Sequence, residues 1–173
     1  MNETDAIKLL KKYSKTTQDF EKVLKHSKAV QSLALEICED IPDVDEDYIR
    51  IGSLLHDIGR FECYPDNPDK HGIVGAKILR REGLDEFATI AERHLGAGIS
   101  KEEIIEQGLD LPLKDYIPIT KEEKIITHAD NLIKGDKRIT LKQAVDRFEK
   151  ELGKKTGRKI RKLGDEVEAM KKA

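Results

Sequence analysis

Histidine and aspartate are the residues of this sequence whose spacing could support metal chemistry. The histidines are His26, His56, His71, His94 and His128, and Asp57 directly follows His56. Each histidine lies in a segment with a helical hydrophobic period, so its spatial neighbours are three, four and seven residues away. On that spacing His26 aligns with Val23 and Val30, on the apolar side of its helix. The same reading places most of the histidines on faces that turn inward.

The inward faces of five predicted helices each carry an imidazole or a carboxylate. A single histidine on an apolar face is usually a hydrogen-bonded core residue, but a buried unpaired carboxylate is costly. One shared metal centre would explain all six side chains, which are His26, His56, Asp57, His71, His94 and Asp130. Imidazole suits Fe, Zn, Mn, Co or Ni, and a carboxylate can bridge two ions. Because no thiolate accompanies them, a closed structural zinc site is not expected.

His128 is the exception among the histidines. It stands two positions before Asp130, and so the two side chains diverge by about 200° around a helix. It aligns instead with Ile125 and Leu132. We therefore expect a histidine that does not itself bind metal and that either packs in the core or supports one of the ligands.

The elements that must position these residues are helices, because the hydrophobic period is helical nearly throughout and no segment of five residues alternates as a strand does. Ser100 with Glu103 and Thr120 with Glu123 form capping boxes. Residues 59–70 hold two prolines and read as a loop. We predict an all-α chain with helices at about 4–13, 17–40, 45–57, 71–82, 85–94, 101–107, 121–134, 140–152 and 157–170.

Length and charge limit the classes of protein. The 173 residues fit one domain, and 32 basic against 34 acidic residues exclude a globally basic nucleic-acid coat. The longest runs without a charged residue span seven positions, 29–35 and 94–100, so no membrane span is expected. Two cysteines and no visible signal peptide suggest a cytoplasmic protein.

Residues 147–162 carry eight basic and two acidic side chains, which could steer an anionic substrate or contact nucleic acid, or simply form a solvated helix face.

The order of these motifs resembles the HD-domain superfamily of metal-dependent phosphohydrolases. LLHDIG at 54–59 is similar to the HD signature in its HDIG form, with His26 before it and Asp130, which ends the string ITHAD, after it. His71 in HGIVGAKIL and His94 in ERHLGAG match the two additional histidines of the six-ligand, two-metal branch.

The resemblance implies a compact helical bundle with its ligands at the centre. His26, His56, Asp57 and Asp130 would bind a first metal, and Asp57 would bridge to a second metal held by His71 and His94. The resemblance covers roughly residues 23–139. We therefore expect a single domain over 1–173, with a motif-bearing core at about 20–140 and basic helices at about 140–172. The ions would be two divalent transition metals, namely Fe, Mn, Co, Ni or Zn.

Two departures narrow the expected activity. The GYP signature of the cyclic-di-GMP phosphodiesterases is absent after His94. The acidic residue that some 5′-nucleotidase members carry three places after the HD aspartate is Arg60 here, which argues against that mononuclear branch. The resemblance thus implies hydrolysis of a phosphate ester or anhydride, with a nucleotide as the expected substrate.

In that reaction Asp57 and Arg60 would be catalytic, and Arg60, Arg93 and Lys134 would contact the substrate phosphate. For each of the three cations, a solvated surface charge is the alternative. The expected partner is a phosphorylated small molecule, with no membrane and no nucleic acid. Two other functions stay open: a di-iron oxygenase of the same ligand pattern, such as myo-inositol oxygenase, and a non-catalytic regulatory protein that binds metal or nucleotide.

Overall fold

The computed structural model describes residues 1–171, which are mostly α-helical, and this confirms the predicted fold class. The helices are α1 (Glu3–Tyr13), α2 (Thr17–Cys38), α3 (Glu46–Leu55), α4 (Arg60–Cys63), α5 (His71–Arg81), α6 (Asp85–Arg93), α7 (Lys101–Gln107), α8 (Lys121–Asn131), α9 (Leu141–Leu152) and α10 (Lys154–Met170). A 3₁₀ turn covers Pro68–Lys70. Two short strands, β1 (Ile133–Lys134) and β2 (Lys137–Arg138), pair as an antiparallel hairpin.

Side-chain caps fix where several helices begin. Both predicted capping boxes are present, at the starts of α7 and α8. A third box opens α9, where the Thr140 hydroxyl accepts from the Gln143 amide and the Gln143 side chain accepts from the Thr140 amide. Because these bonds satisfy amides that a helix start leaves unpaired, each box defines a boundary.

The structure differs from the predicted elements most clearly in three places. The helix expected to continue to residue 134 ends at Asn131, because β1 pairs with β2 and the chain turns at Gly135, where φ is +68°. The loop expected at 59–70 contains the single turn α4 and the 3₁₀ turn. The final helix begins at Lys154 and not at Gly157.

The helices bury two apolar clusters on either side of α2 and α3. In the first, Val30 of α2 joins Ile126 of α8, Ile160 of α10 and Val145 of α9. In the second, residues of α1 and α3 meet residues of α5 and α6, among them Leu10, Leu54, Leu79 and Phe87. The helices α2, α3 and α6 contribute side chains to both clusters.

Within residues 1–171, no helix combines the length and the apolar character needed to cross a bilayer. Cys38 and Cys63 are both buried, and neither forms a disulfide.

Candidate metal centre

The six predicted ligands converge at the meeting point of five segments. His26 lies in the middle of α2, His56 and Asp57 follow α3, and His71 begins α5. His94 directly follows α6, and Asp130 lies in the last turn of α8. Asp57 and His94 are each 2 % exposed and His56 is fully buried. The structure thus brings together side chains that are up to 104 positions apart in the sequence.

The two carboxylate oxygens of Asp57 face two different sets of imidazoles. Oδ2 lies 3.5 Å from Nε2 of His26 and 3.6 Å from Nε2 of His56. Oδ1 lies 3.2 Å from Nε2 of His71 and 3.3 Å from Nε2 of His94. Asp130 Oδ1 belongs to the first set, at 2.9 Å from His26 and 3.6 Å from His56. This is the arrangement of a carboxylate that can bridge two ions.

Hydrogen bonds to backbone carbonyls fix the orientation of all four imidazoles. Nδ1 contacts a carbonyl oxygen in every case: His26 to Gly135 at 2.6 Å, His56 to Ser53 at 2.7 Å, His71 to Pro68 at 2.5 Å and His94 to Ala91 at 2.8 Å. A carbonyl oxygen can only accept, so Nδ1 carries the proton and donates it. In its neutral form each ring therefore presents an unprotonated Nε2 to the centre, which is the form that binds metal.

This donor set fits divalent cations. His56 Nε2 is buried without a hydrogen-bond partner among residues 1–171, and Asp57 Oδ2 forms no hydrogen bond there either, although Arg60 Nε lies 3.0 Å from it as an ion-pair partner. Buried polar atoms ordinarily have partners, and an ion at either position would supply one. Three overlapping groups of ligand atoms lie close enough to hold an ion, including His26 with His56 and Asp57, and Asp57 with His71 and His94.

The electrostatics of the centre keep both carboxylates ionised. Burial alone would raise the pKa of Asp57, but His56 and Arg60 outweigh it and hold that pKa well below its usual range. Burial likewise opposes ionisation of Asp130, and hydrogen bonds with His26 and His56 lower its pKa. Two ionised carboxylates in a buried site need positive charge nearby, which a metal ion would provide.

The imidazoles respond to the same two carboxylates. Burial disfavours the charged form of His26, but Asp130 and Asp57 outweigh burial and raise its pKa to about 9. Burial also opposes protonation of His71, but Asp57 outweighs burial and the pKa of His71 is raised. For His94 burial dominates, and its pKa is lowered. In the absence of metal, protons therefore take up part of the positive charge that the centre demands.

Gly59, the last residue of the HDIG string, permits the close approach of α5. A Cβ atom at this position would lie 1.9 Å from the carbonyl oxygen of His71 and 2.5 Å from the amide nitrogen of Gly75. Any larger residue would push α5 away from the turn that carries His56 and Asp57. Gly59 therefore sets the separation between the two sets of ligands.

Arg60 lies beside Asp57. Its Nε is 3.0 Å from Asp57 Oδ2, and its side chain is 28 % exposed. The guanidinium also lies over the ring of Tyr64, 4.9 Å from the ring centroid. Arg60 therefore borders both the cluster and the solvent.

Arg93 and Lys134, the other two cations predicted to contact phosphate, lie in surroundings unlike that of Arg60. Arg93 Nη1 donates to both carboxylate oxygens of Glu123, at 2.8 and 3.0 Å, and no ion pair within residues 1–171 joins it to the six ligands. A substrate contact by Arg93 stays a prediction, but its guanidinium already has a buried partner. Lys134 is exposed in β1, directly before Gly135, whose carbonyl holds His26.

His128 lies away from the cluster, as its helical position predicts. It is 8 % exposed and faces α10, where a Cβ on Gly164 would come within 3.0 Å of its Cε1. Burial lowers its pKa to about 4. It is a packed neutral histidine.

The carbonyl partners of the histidines were not identified from the sequence. Three of them belong to the residue three positions earlier, namely Ser53, Pro68 and Ala91. That spacing is a usable local signal for a histidine at the end or start of a helix. Gly135 has no such signal, because it reaches His26 from 109 positions away.

Comparisons with known proteins agree with this architecture. Among solved structures, the HD domain of the L. monocytogenes phosphodiesterase PgpH superposes with a TM-score of 0.53 at 17 % identity, covering 95 % of each chain. This similarity shows the shared helical fold.

Several curated relatives are closer in sequence. An uncharacterized protein of Methanocaldococcus jannaschii is 50 % identical over 154 residues, which cover 85 % of this chain and 88 % of that protein. A tRNA (cytidine(56)-2′-O)-methyltransferase of Thermoplasma volcanium is 41 % identical over 163 residues, 94 % of this chain but 45 % of the enzyme. Ribonuclease Y of Pseudothermotoga lettingae is 30 % identical over 177 residues, which cover 98 % of this chain but 34 % of that enzyme. The chain thus spans less than half of each of these two enzymes.

The HD-domain family profile matches residues 23–135, a range that includes His26, the His56–Asp57 pair, His71, His94 and Asp130. With most of the chain matched and all six side chains gathered in one site, the protein belongs to the HD-domain family.

Proposed function

We propose that this protein is a metal-dependent phosphohydrolase that cleaves a phosphate ester or anhydride of a nucleotide. The observation that carries the proposal is the carboxylate of Asp57, whose two oxygens face separate sets of imidazole Nε2 atoms. A centre built to share one carboxylate between two ions is a common design for phosphoryl transfer.

The two sets of ligands suggest how the ions are divided. His26, His56, Asp57 and Asp130 would hold the first, and Asp57, His71 and His94 the second. Fe, Mn, Co, Ni and Zn all accept imidazole and carboxylate ligands. When bound, two such cations supply hydroxide near neutral pH and bind the phosphoryl oxygens.

The chain's own residues prepare the site for this chemistry. The carbonyls of Gly135, Ser53, Pro68 and Ala91 hold the four imidazoles in one tautomer, so little rearrangement is needed on binding. Arg60 would orient Asp57 through Nε and present its remaining N–H groups to a phosphate oxygen. Lys134 would add a second cation from the hairpin.

Relatives support a nucleotide as the substrate. The PgpH domain is also solved in complex with cyclic-di-AMP, at a TM-score of 0.53 to this chain. Two relatives are named for RNA, one as a ribonuclease and one as a tRNA methyltransferase. These names share a ribonucleotide ligand, and we assign the matched segment the hydrolysis of a ribonucleotide phosphate.

The decisive experiment compares two buried histidines. The purified protein, loaded in turn with Mn, Fe, Co, Ni and Zn, is incubated anaerobically with mononucleotides, cyclic dinucleotides and short oligoribonucleotides, and the products are separated by chromatography. We expect hydrolysis by the wild type and by His128→Ala, and none by His56→Ala.

Other results would replace the proposal. Turnover that requires O₂ would favour the di-iron oxygenase. Tight metal and nucleotide binding without turnover under any metal would favour a regulatory protein.

A further inference from the structure

A small cavity lies beside Arg60. It has a volume of about 90 Å³ and is bordered by Lys15 from the connection before α2, by Asp19 and Lys22 from the start of α2, and by Arg60 and Tyr64 from around α4. We refer to these five residues as the Lys15 pocket. Val23, one helical turn before the ligand His26, lines its floor. The Lys15 pocket therefore adjoins the metal centre through both Arg60 and α2.

The charge of the Lys15 pocket is positive. Three cations face one carboxylate, that of Asp19, which accepts a hydrogen bond from the hydroxyl of Thr16. Across residues 1–171, no carboxylate oxygen lies within 4.0 Å of the ammonium of Lys15 or Lys22, whereas nearby Lys12 and Lys28 both have such partners. Unpaired cations that line a concave surface favour an anionic ligand.

The wall of the pocket is aromatic. Tyr64 is 41 % exposed, which is unusual for a large ring in this protein. The Arg60 guanidinium lies 4.9 Å from its centroid, and the His71 ring meets it nearly edge-on at 5.9 Å. Tyr64 thus connects the Lys15 pocket to a ligand of the second set while leaving part of its ring free. An exposed ring beside cations suits a nucleobase.

We propose that the Lys15 pocket binds the part of a nucleotide next to the scissile phosphate, with a second phosphate on Lys15 and Lys22 and a base stacked on Tyr64. This inference rests on the proposed function, because it places the scissile phosphate at the metal centre. Arg60 borders both sites and would separate the two phosphates. The protein would then prefer substrates with two neighbouring phosphates over nucleoside monophosphates. A nucleoside diphosphate and an oligoribonucleotide both offer this second phosphate.

Binding of ligands that resist hydrolysis tests the pocket without requiring turnover. Calorimetry on the metal-loaded protein compares AMP with α,β-methylene-ADP and with a 5′-phosphorylated, phosphorothioate-linked diadenylate. We expect at least one of the two-phosphate ligands to bind about tenfold more tightly than AMP. Preference for the methylene analogue would indicate a nucleoside diphosphate, and preference for the diadenylate an oligonucleotide.

The variant Lys15→Ala/Lys22→Ala should bring the ratio of the dissociation constant of AMP to that of the tighter two-phosphate ligand close to one. Lys150→Ala/Lys154→Ala removes the same charge from two exposed lysines of α9 and α10 that do not line the pocket, and should keep the ratio. Tyr64→Ala should weaken α,β-methylene-ADP but not methylenediphosphonate, which has no base, and Tyr64→Phe should weaken neither.

The outcomes separate the two proposals. If the wild type shows no preference, or the ratio survives Lys15→Ala/Lys22→Ala, the pocket assignment is wrong even when nucleotides are hydrolysed. If the ratio collapses in that variant but no nucleotide is ever hydrolysed, the pocket assignment stands and the hydrolytic function fails.

Discussion

The Nε2 atoms of His71 and His94 lie 3.1 Å apart, and the Nδ1–H group of each ring donates to a backbone carbonyl. Two neutral rings in this form direct lone pairs at each other, which is unfavourable unless a positive charge lies between or beside them. Asp57 Oδ1 completes the triangle, at 3.2 Å from His71 and 3.3 Å from His94. The triangle is therefore suited to a cation.

A double substitution tests whether this triangle holds its own ion. His71→Ala/His94→Ala removes both imidazoles of the second set but leaves His26, His56 and Asp130. We expect one bound metal per chain where the wild type binds two, and a loss of activity of several orders of magnitude. Elemental analysis gives the stoichiometry, and the far-UV circular dichroism should stay helical. Retention of full metal content and turnover would show that these histidines are not ligands.

Arg60 should affect turnover without affecting metal content. Arg60→Ala removes the guanidinium beside Asp57, and we expect kcat/KM to fall by roughly 10–1000-fold because charge on the phosphate loses a partner. Arg60→Lys keeps the charge but not the forked donors, so it should recover only part of the loss. Steady-state kinetics and elemental analysis measure the two effects. Unchanged kinetics in Arg60→Ala would make it an ordinary surface residue.

Arg93 should matter for stability. Glu123 is 1 % exposed, and Arg93 donates to both of its carboxylate oxygens. Arg93→Ala leaves this buried charge without its cation, and the free energy of unfolding should fall by about 2–4 kcal/mol. Adding Glu123→Gln to Arg93→Ala should recover part of the lost free energy of unfolding, because the unpaired charge is then removed. Denaturant titration measures both. Arg93→Ala also tests the predicted substrate contact: a fall in kcat/KM of more than about twofold would support it, and unchanged kinetics would limit Arg93 to stability.

His128 should make the fold sensitive to acid. Burial lowers its pKa to about 4 in the folded protein, whereas an unfolded histidine titrates near 6.5. Between these values the unfolded state binds more protons, so the contribution of His128 is complete above pH 6.5 and is lost as the pH falls towards 4. The loss amounts to about 3 kcal/mol.

The variant His128→Leu isolates this contribution. Its free energy of unfolding should fall less steeply than that of the wild type between pH 6.5 and 4, while its metal content should equal that of the wild type. Parallel pH profiles for the two proteins would show that His128 is already solvated in the folded state.

Much of the candidate centre follows from local sequence. The helical period places His26 and Asp130 on inward faces, and His128 two positions away faces α10 instead. Arg60 stands three positions after Asp57, and the structure pairs their side chains at 3.0 Å. The capping boxes that begin α7 and α8 are local in the same sense.

Other features depend on contacts between distant segments. No periodicity indicates that the Gly135 carbonyl would hold His26, that Glu123 would hold Arg93, or that Tyr64 would stand beside His71. A short hairpin after α8 produces the first of these contacts, and its two-residue strands are too short to leave an alternating pattern.

The sequence by itself thus determined the helical class, the identity of the inward-facing polar residues and the family they resemble, because these depend on side-chain type and on neighbours within two helical turns. Only the tertiary structure decided which Asp57 oxygen faces which histidines and that Lys15, Lys22 and Tyr64 line a pocket beside Arg60. Those relationships depend on how α2, α5, α6 and α8 pack against one another, and packing is settled by the whole chain at once.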